Sequence, residues 1–425
     1  MATTEAPEHD PSQGSAGDLP VRPLHLVAFR RLWYASGVAW GGQMMERTAT
    51  AWLAIEAGGG AFAVGLVFAA RMLPSLLFGL AAGTLADRFD RRTQLLLVAA
   101  AVCALMAFTG WLAGSGSIQV WHVILISFLS GCVQVCDTPA RQALVIDTTS
   151  RGAATNALAL NGLASRGCGA VGAFGAGALI PFIGISQSFY VIALVYGVGA
   201  LFVVSMGSQR KADISIVHAP FSHALRGAVR LMVDIPAVRL LMFSGVAAEI
   251  FAFSYNSALP VFSDVVLRAG PEGLGILNGA GSVGSTVALV AMLLIGDRLR
   301  REPLLATIFV GYGASLIVLA TTRNLYLAAA VIIVTGICAG AFDLLQQTML
   351  QLAVPDEQRG RAVGLWVLGL GSAPAGSLET GFLINALGAP GALVINGVLS
   401  LASAAALLAH APHYRWRARK APAPD

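Results

Sequence analysis

An all-α membrane protein, with twelve transmembrane helices in two six-helix halves, is the fold class that this 425-residue chain predicts. Three observations carry it. Hydrophobic residues make up 56% of the sequence and charged residues only 12%, with a mean hydropathy of +0.73. A soluble globular protein carries roughly twice that charged fraction. Apolar stretches of about 20 residues or more, the length a bilayer crossing needs, follow one another with short polar breaks. Finally, the charged segment Gly83-Thr-Leu-Ala-Asp-Arg-Phe-Asp-Arg-Arg92, set between two apolar runs, has a second copy about 210 residues later, Gly296-Asp297-Arg298-Leu-Arg300-Arg301.

Taken in order, residues 1–24 are polar and rich in Pro, Gly and Ser, which predicts a disordered N-terminus. No basic region precedes a short apolar core, so no cleavable signal is expected and the first span inserts the chain. The first half, 25–207, holds apolar segments at 32–57, 63–86, 94–114, 118–141, 155–180 and 186–207. A polar stretch at 208–238 reads as a linker. Within it, Phe221, Leu225, Ala228, Val229 and Met232 recur at helical spacing, the pattern of a helix lying on a membrane surface. The second half, 239–410, holds segments at 239–262, 272–295, 303–322, 325–348, 361–384 and 389–410, before a basic, aromatic tail at 411–425.

Charge sets the orientation. Roughly 22 of the 27 Lys and Arg fall on one set of alternating loops and two, Arg268 and Arg323, on the other. Because Lys and Arg are retained in the cytoplasm, the basic loops and both termini are expected inside, in a cell (inner) membrane. The same layout disfavours nucleic acid as a partner despite a pI near 9.1. The five cysteines all lie in apolar segments without metal-ligand company, and read as small packing residues. No nucleophile–base arrangement stands out and no Gly-Lys-Ser/Thr follows the glycine runs, so neither an enzyme nor a nucleotide site is expected, and no cofactor or metal.

The halves match in detail. Cys136-Asp-Thr-Pro-Ala-Arg-Gln ends the fourth segment, and Phe342-Asp-Leu-Leu-Gln-Gln ends the tenth at nearly the same offset as the charged loops. A duplicated helical membrane protein points to a transporter. With these residues in view, the chain resembles the major facilitator superfamily over residues 25–410. The loop Gly83-x-Leu-Ala-Asp87-Arg-x-Asp-Arg91-Arg92 is similar to that family's signature between its second and third helices. Asp137-Thr-Pro-Ala-Arg-Gln142 and Val354-Pro-Asp-Glu-Gln-Arg-Gly-Arg361 resemble the branch of enterobactin exporters and macrolide efflux pumps. The chain departs from the family pattern at Asp90, where Gly is usual, and lacks the Gly-Pro pair of drug–proton antiporters in its fifth helix.

The resemblance implies a fold of two six-helix halves and a monomer that exports a small amphipathic molecule by alternating access. It also implies a latch at the basic end, formed by Asp87, Arg91 and Arg92, with Asp297 as its mirror copy. Asp137, Arg141 and Asp343 lie near the basic ends of their segments and read as gate residues. Charges inside spans are costly in hydrocarbon and by default face a cavity. The acids there are Glu46, Asp137, Glu249, Asp343 and Glu379, and the bases Arg47, Arg71 and Arg166. Two acids thus lack an internal cation, and must take a proton or bind another cation. That excess favours protons as the coupling ion.

Glu46, Arg166, Glu249, Glu379, Tyr255 and Asn256 are accordingly the candidates for proton or substrate contact, with Trp40, Gln43, Gln134, Phe253, Asn278 and Gln347 as further lining residues. Glu46 could instead form a structural pair with Arg71 or Arg166. Arg47, about 100° around the helix from Glu46, cannot share its face. The alternatives are an importer or facilitator of the same fold, and a non-transporting membrane receptor or scaffold, which would need no cavity acids.

Overall fold

The computed structural model describes residues 23–88, 90–149, 153–206, 230–296, 300–355 and 358–410, with the backbone alone at 80–88, 154, 155, 302, 359–361 and 363. It is helical, with no strand among the described residues. The first half contains α1 (Val27–Glu56), α2 (Ala61–Arg88), α3 (Arg91–Gly114), α4 (Val120–Asp147), α5 (Ala154–Ile183) and α6 (Ile185–Ser205). The second contains α7 (Pro236–Val266), α8 (Gly270–Ile295), α9 (Arg301–Thr321) and α10 (Leu325–Leu352). Then α11 runs from Arg359 to a turn at Gly388, and α12 from there to His410.

Among the described residues, ten helices are long and apolar enough to cross a membrane. One of them, Gly364–His410, spans 47 residues. At 1.5 Å per residue that is about 70 Å, more than twice the hydrocarbon thickness. The chain folds back at Gly388, whose φ of 74° and ψ of 167° interrupt the helix and favour glycine. Dividing that stretch and adding the 30-residue α1 gives the twelve expected helices. The linker helix read at Phe221–Val233 falls largely, and the N-terminal segment and basic tail fall mainly or wholly, outside the described residues.

Three helices are less regular than their apolar runs suggest. α4 breaks at Val135 and Cys136, because Pro139 has no N–H to continue the ladder; the chain restarts at Asp137 with Pro139 in the first turn, where that loss is harmless. α7 widens into π-helix at Ala248–Ala252 and again at Phe262–Val266, the second just after Pro260. α11 breaks at Gly371 and Ser372, ahead of Pro374. Elsewhere, ends are capped locally: Asp90 accepts from Thr93 N at 2.9 Å to open α3, and Asn324 accepts from Tyr326 N at 3.0 Å to open α10.

Within the first half α1 packs on α5 and α6, α3 on α6 and α2 on α4; within the second, α8 packs on α10, α9 on α12 and α11 on α7. Across the halves the well-packed pairs are α5 with α8 and α2 with α11. Large apolar side chains such as Phe182 and Leu294 face outward, as lipid-facing residues do. The end carrying Asp90, Thr148, Thr149, Gly296 and Arg300 is termed the basic end, and that carrying 57–60, 184, 267–269 and 388 the opposite end.

Candidate functional site

The cleft between the halves is sealed at the opposite end by glycines. A Cβ on Gly177 of α5 would lie 2.6 Å from the Cα of Gly275 on α8, and one on Gly65 of α2 would lie 2.6 Å from Ser377 O on α11. Backbones therefore touch where α5 meets α8 and where α2 meets α11. α1 meets α7 through Tyr255–Val261, toward the same end, and Asn278 Nδ2 of α8 donates to Thr48 Oγ1 of α1 at 3.1 Å. Toward the basic end α4 and α10 form no comparable packed pair. The side chains of Arg166 and Asp343 there keep 26% and 33% of their surface exposed. The cleft opens at the basic end.

Glu46 points away from that cleft. It is 1% exposed and sits inside the first half, bonded by Arg71 of α2 and Ser130 of α4 through Oε1. Its Oε2 accepts from Gln134 Nε2 at 3.0 Å and from Tyr196 OH of α6 at 2.8 Å. Arg71 Nη2 also donates to Gln134 Oε1 at 3.1 Å, and Gln43 donates to the same oxygen. Four helices are thus tied by one buried ion pair whose oxygens and N–H groups find partners. Gln43 and Gln134 belong to this network, as does Tyr196, which also lines a small cavity with Trp40, Gln43 and Asp137. Ser130 and Tyr196 carried no sequence signal beyond one hydroxyl each in an apolar run.

The gate and latch candidates of the first half bind within it. Arg141 donates to Asp137 at 2.6 and 3.0 Å, one helical turn away, and to Ser36 Oγ at 3.3 Å. Arg91 pairs with Asp147 at the end of α4. Arg92 donates to the carbonyls of Val203 at 3.2 Å and Val204 at 2.6 Å, satisfying free acceptors at the C-terminus of α6. The Asp87 side chain and all of Asp297 lie outside the described residues.

In the second half, Glu249 lies on the first π-widened segment of α7, half-buried, with neither a hydrogen bond nor an ion pair to its carboxyl among the described residues. Asp343 of α10 is its acidic neighbour, and Arg166 of α5 reaches across the cleft to 3.9 Å from Asp343. Glu379 accepts from Thr380 Oγ1 at 3.1 Å. Asn256 turns back to donate to Phe253 O at 2.8 Å, while Tyr255 is buried with its ring centroid 6.1 Å from that of Tyr312. The structure thus brings Glu249, Asp343 and Arg166 to one region and turns Glu46 into the first half, away from it. Arg47, by contrast, lies toward the other half, with Tyr255 of α7 and Tyr312 of α9 among its neighbours, while its guanidinium stacks 5.3 Å from the Phe68 ring centroid of its own half.

Comparison with known proteins follows this geometry. A family model described as transmembrane secretion effector matches residues 19–421. The chain is similar to the staphyloferrin A transporter of Staphylococcus aureus, 21% identical over 379 residues, covering 82% of this chain and 88% of that protein. It is also similar to the multidrug efflux pump Tap of Mycobacterium tuberculosis, 23% identical over 378 residues, covering 86% and 88%. Among solved structures, a bacterial homolog of the human lysosomal transporter Spinster, inward-facing and unoccupied, superposes with a TM-score of 0.72 at 14% identity, covering 93% of this chain and 98% of that one. The nucleoside transporter NupG superposes with a TM-score of 0.69 at 14% identity, covering 90% and 98%. At such identities these structures speak for the fold alone.

Proposed function

The chain belongs to the transmembrane secretion effector family of the major facilitator superfamily and is a multi-pass secondary transporter rather than an enzyme; on that premise we propose that it exports a small amphipathic molecule from the cytoplasm in exchange for protons. The basic end is the cytoplasmic one, since Lys and Arg are retained on that side. The cleft then faces inward, ready to load from the cytoplasm. Efflux is favoured by the likeness to Tap, a multidrug efflux pump.

One observation carries the coupling: Glu249, a carboxyl inside a span, on a widened helical turn, with no counter-ion among the described residues. Groups of this kind in membranes mark ion pathways, and π-widened turns recur at functional sites. Glu249 is the proton carrier. Asp343 and Arg166 bridge the halves on the cytoplasmic side, and their separation or closure senses the state of the cleft. Latching by Asp87, Arg91 and Arg92 belongs to the alternate, outward-open state. In the present state Arg91 pairs with Asp147, and Arg92 donates to the carbonyl of Val204.

Everted vesicles holding a respiration-driven pH gradient test this directly. Siderophores, macrolides and cationic dyes are added in turn, with the protein present and absent. One compound should collapse the gradient, and Glu249→Gln should abolish that collapse while leaving binding of the compound in place. Collapse that survives Glu249→Gln removes Glu249 from the coupling. Movement of labelled compound without any collapse makes the protein a facilitator.

A further inference from the structure

We propose that Arg47 is the anchor for an anionic group, a carboxylate or its equivalent, carried by the transported molecule; the inference rests on the transport reading above and narrows its substrate class. Arg47 lies about nine residues from the C-terminal end of α1, roughly 14 Å into the membrane from the opposite end. It is half-buried, and among the described residues it has no ion-pair or hydrogen-bond partner. The other two arginines read as lying deep inside spans are paired: Arg71 with Glu46 and Arg166 with Asp343. A cation left alone at that depth is costly, so it is kept for a ligand.

Its surroundings suit that use. On its own half the guanidinium rests against Phe68, 8% exposed, at 5.3 Å from the ring centroid, which holds it in place without neutralising it. Across the interface its nearest titratable neighbours are Tyr255 and Tyr312, and its neighbour on its own side is the already paired Arg71. No acid stands among them. The Tyr312 hydroxyl is buried, on a residue 1% exposed, and has no hydrogen-bond partner among the described residues. A free guanidinium and a free hydroxyl donor, set among the rings of Phe68, Phe253 and Tyr255, form the complement of an acidic group on an aromatic or apolar body. The position lies where α1 meets α7, at the closed head of the cleft, and too deep for a lipid headgroup. The anion therefore arrives with the solute.

Three probes sharing one fluorophore separate the possibilities: dansylglycine (a carboxylate), dansylglycinamide (neutral) and dansylcadaverine (a cation). Binding to the purified full chain in uncharged detergent is read by energy transfer from tryptophan, and movement in everted vesicles by fluorescence. The carboxylate should bind at least about tenfold more tightly than its amide, the scale of a charge-assisted contact. Arg47→Gln should erase that preference, Arg47→Lys should retain most of it, and both should elute and melt as the wild type does. Should Arg47→Gln not fold, the wild-type preference decides by itself.

Equal binding of carboxylate and amide, or an undiminished preference in Arg47→Gln, overturns the anion site. Gradient-driven movement of the neutral or cationic probe alone leaves the transporter standing without it. Arg47-dependent binding of dansylglycine with no movement of any probe does the reverse.

Discussion

Glu46→Ala is expected to leave little folded protein. The substitution strips Arg71 of its counter-ion while keeping the guanidinium among α1, α2, α4 and α6, where Ser130, Gln134 and Tyr196 have already committed their polar groups to the carboxylate. Removing one partner of a buried pair costs about 3–5 kcal/mol, because an uncompensated charge remains. A domain's net stability is only about 5–15 kcal/mol, so this loss is a large fraction of it. The measurement is the melting temperature and the monodisperse yield of purified protein.

The decisive comparison is the double variant Glu46→Ala/Arg71→Leu. Removing both charges should restore most of the lost stability, since an apolar replacement of an ion pair is often close to neutral. A network that only holds helices together predicts that the rescued protein still transports. If instead Glu46→Ala melts like the wild type and fails only in gradient-driven transport, Glu46 belongs with Glu249 in the proton path.

The contrast between Glu46 and Glu249 shows what the sequence could resolve. Composition, span count, duplication and the charged loops were all legible, because hydrophobic length and charge are properties of local sequence. Both acids were also recognisable as costly residues inside spans. Which way each points was not. Two arginines offered themselves to Glu46, and the choice of Arg71 depends on α2 and α4 packing beside α1, a long-range fact. The same fact turns Arg47, the next residue, toward the opposite half, where its lack of a partner becomes visible. The break in α4 was available from Pro139 by its missing N–H. The π-helical turn that displays Glu249 has no such local marker.

Gly275→Val is expected to abolish transport for a reason unrelated to any binding group. A Cβ at Gly275 would stand 2.5 Å from the Gly177 Cα and 2.9 Å from Ala173 O, so backbone faces it on both counts and no side chain can swing aside. α5 and α8 must separate, and they do so where the halves seal the opposite end. Overpacking of this kind costs about 1–3 kcal/mol. If that cost falls on the state closed at the opposite end and is relieved in the other, the equilibrium shifts roughly 5- to 150-fold toward opening there, at 1.4 kcal/mol per tenfold. Spin labels at Ser117 and Arg323, both exposed at that end, should move apart. Gly65→Val, which meets Ser377 O at 2.6 Å on the α2–α11 side, should act in the same direction. Gly175→Val supplies the control, because a Cβ there meets open space on the same helix two positions from Gly177. It should transport normally. Equal loss in Gly175→Val and Gly275→Val would mean that bulk on α5 or α8 harms folding in general. Unchanged label distances in an inactive Gly275→Val would mean that the glycine seam is not what holds this end closed.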